Sequence, residues 1–369
     1  MGPSFYAWTI AGLCAAGFVL TVMPVVIFLF TGWKVRRDKL LCYMNETALA
    51  LYYTQFPWTS SKQTDLRLRF REQFNYLYGR RHYVAPMLLL IVISGGSMWA
   101  IARSLQAWYK VSVFGYAVPA IAMSAVLGAF MWSISDQLDR ILRRDLAPVD
   151  VYGWCFRMLL AIPFGTALAA FANKDFGIAL AFLLGAFPTT TLFTFARRIA
   201  VQKLSLGDQQ APAALELEQL QSVSRANAEH FQDEGVDTIS TLAWSDPVDL
   251  TLRTNFDFNY VLDCMSQALL WVYFEKRTRL LFPLSLRGAQ EVAVFVKDLK
   301  DVTLPYDATQ ALSGAQRAAL ATLQNAVQVL ATADVLNGKA LEITEASLLT
   351  TLRQVADDPY TQFIFVVWH

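Results

Sequence analysis

The sequence predicts a mainly α-helical, polytopic membrane protein: about five transmembrane helices, then a cytoplasmic, mostly helical domain that ends in a small α+β element. Two observations predict this class. The 369 residues are 55% hydrophobic and 13% aromatic, with a mean hydropathy of +0.35, which is too apolar for an ordinary soluble chain of this size. Long uncharged runs, of the ~20 residues that a membrane-crossing helix needs, also stop near residue 196.

The distribution of charge divides the chain at the same place. Residues 1–203 hold 20 Lys and Arg against 9 Asp and Glu, a net +11, whereas residues 204–369 hold 11 against 21, a net −10. The predicted organisation is a transmembrane domain over 1–203, a linker over 204–212 with Gly207 and Pro212 as helix breakers, and an acidic cytoplasmic domain over 213–369.

Five segments meet the length rule for a transmembrane helix. They are Ala7 to Gly32, Tyr83 to Ala107, Val111 to Ile134, Trp154 to Ala172, and Phe176 to Ala196. The last two are separated only by "NKD", so we expect a tight helical hairpin. No basic residue precedes the first segment, which favours a retained anchor over a cleaved signal peptide.

The basic residues of this half predict its orientation. With the N-terminus outside, 17 of the 20 lie in cytoplasmic segments, Arg157 being counted at the inner end of the fourth span, and only Arg103, Lys110 and Lys174 lie outside. Because short cytoplasmic loops are enriched in Lys and Arg, we expect the N-terminus outside and the acidic domain in the cytoplasm. Short loops with this bias fit a bacterial inner membrane.

The segment between the first two spans, Lys34 to His82, is too long for a turn and too aromatic for a disordered linker. A helix is predicted here by apolar residues at helical spacing, namely Leu66, Phe70, Phe74 and Leu77. The arginines beside them are Arg67, Arg69, Arg71 and Arg80. This helix either lies among anionic lipid headgroups or docks on the oppositely charged C-terminal domain.

The stretch "GAFPTTTLFTFARR" is polar within an apolar region. Pro188 removes a helix hydrogen bond, and threonine hydroxyls either satisfy the freed carbonyl or line a wet cavity. Repeated around the axis of a homo-oligomer, they would form a polar, uncharged throat with arginines at its mouth, which favours anions. The candidate pore-lining residues are Thr189, Thr190, Thr191, Thr194, Arg197 and Arg198. Alternatively, the hydroxyls bond to the preceding turn and the arginines are a positive-inside signal.

Two carboxylates stand at the inner end of the third span. Asp136 and Asp139 lie beside Arg140, Arg143 and Arg144, so they form either an ion vestibule or gate or local i,i+4 ion pairs. No acidic residue lies deep within a predicted span, which argues against an ion-coupled transporter.

In the acidic domain, an amphipathic helix is predicted from Ala213 to about Asp233, followed by "EGVDTISTLAWSDPVDL". A helix that ends at Gly235, a short apolar turn and a second short helix resemble a helix-hairpin-helix repeat of the sterile-alpha-motif-like kind. The resemblance covers residues 215–290, with a weaker second unit in "LLFPLSLRGAQEVAVFVKDL".

This resemblance implies a protein-interaction or oligomerisation domain. The candidate partner-binding hairpin comprises Asp233, Glu234, Gly235 and Asp237. Such hairpins often bind DNA phosphates, but a domain with a net charge of −10 lacks the cations that phosphate binding requires. The expected partners are therefore membrane lipids, further copies of the chain and a cytoplasmic protein, and not nucleic acid.

The C-terminal segment predicts two short strands, "LEIT" and "TQFIFVVW", around a helix from Glu345 to Val355 that is capped by Thr344. The last strand either pairs within the domain or exchanges with a neighbouring subunit.

No motif for catalysis or for a cofactor is found, and we expect no enzymatic activity and no metal site. Neither the histidines nor the cysteines have ligand or disulfide spacing; they are His82, His230, His369, Cys14, Cys42, Cys155 and Cys264.

Two functions therefore remain open. The first is an oligomeric inner-membrane channel or membrane effector that the cytoplasmic domain gates. The second is a non-conducting scaffold that recruits cytoplasmic proteins. Runs of small residues such as "AIAMSAVLGA" imply close helix packing, which an anchor does not need, and they favour the first.

Overall fold

The computed structural model describes residues 3–57, 63–108, 120–143, 146–169, 174–186, 216–300, 302, 312–336 and 343–369. All regular secondary structure in these residues is helical, so the predicted mainly α class is confirmed. The chain forms two compact units. The first unit comprises Met1–Lys39 and Glu72–Pro212, and the second comprises Leu40–Arg71 and Ala213–His369.

The helices up to residue 186 are as follows, with α3 in the second unit. They are α1 (Pro3–Ile27), a π-helical turn (Phe28–Gly32), α2 (Trp33–Tyr43), α3 (Glu46–Gln55), α4 (Leu66–Tyr78), a 3-10 turn (Arg80–Tyr83), α5 (Val84–Trp108), α6 (Ala120–Arg143), α7 (Pro148–Ala169) and α8 (Lys174–Ala186). The division between the two units falls inside α2 and inside α4.

Three helical stretches are long and apolar enough to cross a membrane: Trp8–Tyr43, Leu66–Ala102 and Ile121–Arg143. They contain most of the first three predicted spans and are compatible with an integral membrane protein. The fourth and fifth predicted spans are not among them. Helix α7 covers the fourth from Trp154 to Ala169, and the described part of the fifth contains only the shorter apolar stretch Gly177–Ala186.

Helices α6 and α8 approach each other at two glycines. A Cβ placed on Gly128 would lie 2.1 Å from the carbonyl oxygen of Phe182, and one placed on Gly185 would lie 2.1 Å from that of Ala125. No side chain fits at these distances, so the two backbones touch. This is the close packing of small residues that the sequence predicts for the membrane helices.

The second unit continues after residue 215 with nine helices among its described residues. They are α9 (Arg225–Asp233), α10 (Ile239–Ala243), α11 (Pro247–Thr254), α12 (Phe258–Phe274), α13 (Thr278–Leu281), α14 (Ala289–Asp298), α15 (Gly314–Leu336), α16 (Glu345–Asp357) and α17 (Pro359–Trp368). Helix α12 is the centre of this unit: twelve of its residues are buried, and α10, α11, α14, α16 and α17 all contact it.

The helix predicted from Ala213 to about Asp233 is shorter in the structure. A 3-10 turn covers Glu216–Gln219, Ser222 adopts a left-handed conformation with φ of 73°, and α9 begins only at Arg225. The Ser224 hydroxyl accepts a hydrogen bond from the Asn227 backbone N–H at 3.2 Å, so this serine caps a new helix. Residues 213–215 lie outside the described part.

Helix α9 ends in a Schellman motif. The backbone N–H of Val236 donates to the carbonyl of Phe231 at 2.9 Å, and that of Gly235 donates to Gln232 at 2.9 Å. Gly235 has φ of 81°, which glycine tolerates without strain. Val236 is buried, and the chain turns into α10.

The turn between α13 and α14 repeats this arrangement. Ser285 has φ of 61°, Leu286 is buried, and the Leu286 N–H donates to the carbonyl of Leu281 at 3.3 Å. The second unit thus contains two turns with similar backbone hydrogen bonds, one after α9 and one before α14.

The predicted C-terminal strand is wrong, because "TQFIFVVW" lies in helix α17. Asp358 caps this helix through the Tyr360 N–H at 2.9 Å, and Pro359 occupies its first position, where a missing N–H costs nothing. Of "LEIT", the described residues Ile343 and Thr344 are not helical. The predicted helix between them is confirmed as α16, with Thr344 and Ser347 forming a capping box.

Candidate functional site

The segment between the first two long apolar helices is built into the second unit through its aromatic residues. In α3, the fully buried Tyr52 donates its hydroxyl to Asp246 Oδ2 at 2.8 Å. The other oxygen of Asp246 caps α11, accepting from the backbone N–H groups of Val248 at 2.9 Å and Asp249 at 3.2 Å. The Asp246 carboxylate therefore bonds to α3 and caps the N-terminus of α11. We call this pair, Tyr52 and Asp246, the latch.

Aromatic rings surround the latch. The rings of Tyr52 and Phe363 have centroids 6.0 Å apart, and those of Phe56 and Tyr360 lie 5.5 Å apart edge to face. Helix α3 thus packs against α17, the helix that replaces the predicted C-terminal strand. Nearby, Trp244 meets Tyr360 at 4.9 Å. Such pairs contribute ~0.5–1.5 kcal/mol each beyond their burial.

Burial raises the pKa of the Asp246 carboxyl above its ordinary value. The hydrogen bonds from Tyr52 and from the α11 backbone lower this pKa, but they offset only part of the effect of burial. Burial likewise raises the pKa of Tyr53 in α3, although the nearby Arg69 lowers it. The latch therefore holds a carboxylate where its charge is poorly solvated. Its hydrogen bonds compensate for part of that cost.

The three arginines predicted as a gating or docking set are placed unequally. Arg69 is half-buried, with its guanidinium 4.2 Å from the centroid of the Tyr53 ring. Arg67 and Arg71 are exposed on the other side of α4. All three belong to the second unit, together with the acidic C-terminal residues.

In the first unit, Asp136 forms the local ion pair that was one of its two interpretations. Its Oδ2 accepts from Arg140 Nε at 3.0 Å and from Trp154 Nε1 at 2.7 Å. Arg140 also reaches Asp150 Oδ1 at 2.9 Å. The network joins α6 to α7. Asp139, one turn along, is exposed and takes no part in it.

The Leu146 carbonyl, between α6 and α7, accepts two hydrogen bonds from other parts of the first unit. The buried Leu146 carbonyl accepts from the hydroxyl of Tyr83 at 2.7 Å and from Arg36 Nη1 at 3.2 Å. Together with the Asp136 network, these bonds fix the charged end of α6 to α2, to the turn before α5 and to α7.

Arg157, which the sequence analysis counts at the inner end of the fourth span, is buried within α7. It is 4% exposed, and its Nε and Nη2 donate to the carbonyl of Gly185 in α8 at 3.2 and 2.7 Å. Its guanidinium lies 4.1 Å from the centroid of the Trp132 ring. A buried arginine in an apolar helix bundle marks a functional or strongly structural position, and this one ties α7 to the end of α8 that leads to Pro188.

The candidate pore-lining residues Thr189, Thr190, Thr191, Thr194, Arg197 and Arg198 all lie outside the described residues. Of the candidate hairpin, Asp233, Gly235 and Asp237 are exposed, and the carbonyl of Glu234 accepts from Arg253 at 2.8 Å. This turn is acidic and accessible.

Over the described ranges, no three His, Cys, Asp or Glu side chains are grouped as metal ligands. The four cysteines are free.

The sequence did not single out the latch, and the geometry explains why. Tyr52 and Asp246 are separated by 194 positions, and Tyr52 lies in no motif. The start signal "SDP" before α11 marks Asp246 as a cap, but nothing local indicates its partner. Comparisons with protein families, with characterised proteins and with solved structures find no match for this chain.

Proposed function

We propose that this protein is an oligomeric membrane channel, in an inner membrane, whose cytoplasmic second unit gates the helices of the first. The observation that carries the proposal is the latch. Residues 40–71 interrupt the apolar helices in sequence, yet they belong to the second unit and are held there by the bond between Tyr52 and Asp246.

A recruitment scaffold needs only one flexible connection between its anchor and its binding domain. Here three chain connections join the units, after Lys39, after Arg71 and after Pro212. The first two fall inside continuous helices, α2 and α4, and each of these helices is part of a stretch long enough to cross a membrane. A rearrangement of the second unit would therefore act directly on two membrane helices.

The remaining parts follow the sequence-based expectations. Five spans per subunit, with the N-terminus outside, place the second unit in the cytoplasm. The threonines from 189 to 194 line the pore around the oligomer axis, and Arg197 and Arg198 favour anions at its inner mouth. A cytoplasmic protein binds the acidic turn at Asp233–Asp237, as the resemblance to interaction domains implies.

The test is ion flux in liposomes reconstituted with purified full-length protein, after its oligomeric mass has been measured in detergent. We expect anion flux from the wild type and loss of that flux in the Thr190→Leu, Thr194→Leu double variant. Tyr52→Phe, which removes only the latch hydroxyl, should change the open fraction and leave selectivity unaltered. Tyr76→Phe is the matched control, because Tyr76 is exposed and lies outside the latch.

A monomer without flux, in the presence and absence of cell extract, would refute the channel and leave the scaffold function. Flux that Tyr52→Phe leaves unchanged would retain the pore but reject gating through the latch. Flux that persists in the threonine double variant would place the conducting path elsewhere.

A further inference from the structure

Helix α6 of the first unit contains two buried polar side chains in which every polar atom lacks a hydrogen bond within the described residues. Ser133 and Gln137 of α6 are both 0% exposed. The Ser133 hydroxyl and both amide atoms of Gln137 have no hydrogen-bond partner among the described residues. Because four positions separate them, they lie on the same face of the helix, one turn apart.

Other buried hydroxyls of this unit behave differently. Ser94 donates to the carbonyl of Leu90 at 2.6 Å, Thr21 donates to that of Gly17 at 2.8 Å, and Ser124 donates to that of Ile178 at 2.7 Å. Bonding to the carbonyl four residues earlier is the usual solution for a hydroxyl in an apolar helix. Ser133 does not adopt it and has no other partner among the described residues.

Three polar groups without partners in an apolar bundle carry a substantial cost. Each group costs ~1–3 kcal/mol when it is buried and unbonded, and more where hydrocarbon replaces water. The side chains are neutral, so a change of protonation cannot relieve this cost. Hydration can, because a water molecule that bridges a hydroxyl and an amide satisfies both.

The position of the pair also indicates where water would enter. Gln137 lies between Ser133 and the C-terminal turns of α6, where Arg140 pairs with Asp136 and with Asp150 of α7. Asp139 and Arg143, in the last turns of α6, are exposed, so that end of the helix is the hydrated one. Gln137 and then Ser133 continue the polar surface into the bundle.

We propose that Ser133 and Gln137 line a water-filled crevice, open at the charged end of α6, that admits small hydrated inorganic ions. Its role in conduction rests on the proposed channel function, whereas the crevice itself does not. Uncharged hydroxyl and amide groups can replace part of the hydration shell of an ion without binding it tightly, as a conducting path requires.

The crevice is tested by thiol accessibility in native membranes, in a variant whose four cysteines are replaced by alanine. Ser133→Cys should react with a membrane-impermeant methanethiosulfonate reagent. We expect its labelling rate to be at least about tenfold higher than that of Ser94→Cys, because thiol modification requires access. Ser94 is an equally buried serine whose hydroxyl is bonded. Equal, negligible labelling at both positions would overturn the proposal.

A second variant keeps the test independent of cysteine replacement. Gln137→Leu removes the unsatisfied amide at similar volume, so we expect unchanged or higher thermal stability together with lower flux. Higher stability with unchanged flux would refute the role in conduction. If Ser133→Cys is labelled but the wild type shows no flux, the crevice stands and the channel function fails, so the two failures are distinguishable.

Discussion

The latch gives the most direct quantitative prediction. Tyr52→Phe removes one hydrogen bond to a carboxylate, which contributes ~1.5–3 kcal/mol, and leaves the helix cap of Asp246 intact. Asp246→Ala removes the same bond and the cap, which contributes a further ~1 kcal/mol, and leaves the fully buried Tyr52 hydroxyl without its acceptor. We therefore expect a loss of about 2 kcal/mol for the first variant and of about 3 kcal/mol for the second.

Labelling of the buried thiol of Cys264 can report on transient unfolding of the second unit. This thiol is fully buried in α12, and burial raises its pKa to about 12, so the folded unit should react very slowly with thiol reagents. In full-length protein that retains only this cysteine, labelling measures transient opening. A loss of 2 kcal/mol corresponds to ~30-fold faster labelling.

The double variant Tyr52→Phe, Asp246→Ala separates the bond from the cap. If the bond couples the two residues, the double variant should be less destabilised than the sum of the single variants, by at least about 1 kcal/mol. Additive effects, or labelling of Cys264 that changes less than about twofold in either single variant, would refute the reasoning.

The pH dependence of the latch has a defined sign. Burial raises the folded-state pKa of Asp246 above its unfolded value, which is ~3.9. Below the unfolded pKa both states are protonated; as pH rises from there towards the folded pKa, the unfolded state releases its proton first, so stability falls. Asp246→Asn, which retains a capping side chain, should lack this component when Cys264 labelling is compared with that of the wild type.

The first unit gives three predictions, each measured as the thermal midpoint of the purified protein in detergent. Gly185→Ala should disrupt α6–α8 packing, because its Cβ would lie 2.1 Å from a backbone oxygen, whereas Gly153→Ala, with nothing within 4 Å, should be neutral or stabilising. Arg157→Met should cost ~1–3 kcal/mol through the two bonds lost to Gly185; an unchanged midpoint would contradict that role. Asp136→Asn should destabilise by ~1–2 kcal/mol and the exposed Asp139→Asn by less than ~0.5 kcal/mol; equal effects would refute the assignment of the network.

Local signals predicted local structure well. The spacing of Phe70 and Phe74 gave helix α4, Thr344 gave the start of α16, and Gly235 gave the turn after α9. Each of these signals acts within one or two turns of the chain, where propensity and capping decide the conformation. The first three membrane-length helices followed from composition for the same reason, since hydropathy is a property of a single segment.

The wrong prediction of a C-terminal strand and the missed latch both concern segments whose conformation or partner depends on nonlocal contacts. "TQFIFVVW" has the β-branched and aromatic residues of a strand, but Asp358 and Pro359 start a helix there, and the rings of Tyr360 and Phe363 pack against α3. Asp358 and Pro359 are a local signal for the start of a helix, whereas β propensity predicts a strand. β propensity is strongly context-dependent. By contrast, no pattern in the sequence shows that Tyr52 meets Asp246, because that contact depends on how residues 40–71 join the C-terminal residues.

The latch and the pair Ser133 and Gln137 both bury polar groups at a cost in free energy. Desolvation disfavours the charge of Asp246, and Ser133 and Gln137 leave polar atoms unsatisfied in an apolar bundle. A static anchor would be more stable with apolar residues of similar volume in place of Ser133 and Gln137. Structures generally keep such unfavourable groups where one state needs them. Under the proposed channel function, the latch serves a state in which α3 is released from α11 and α17, and the polar groups of α6 serve a state in which the bundle is hydrated. A gated channel needs both states, whereas a scaffold needs neither.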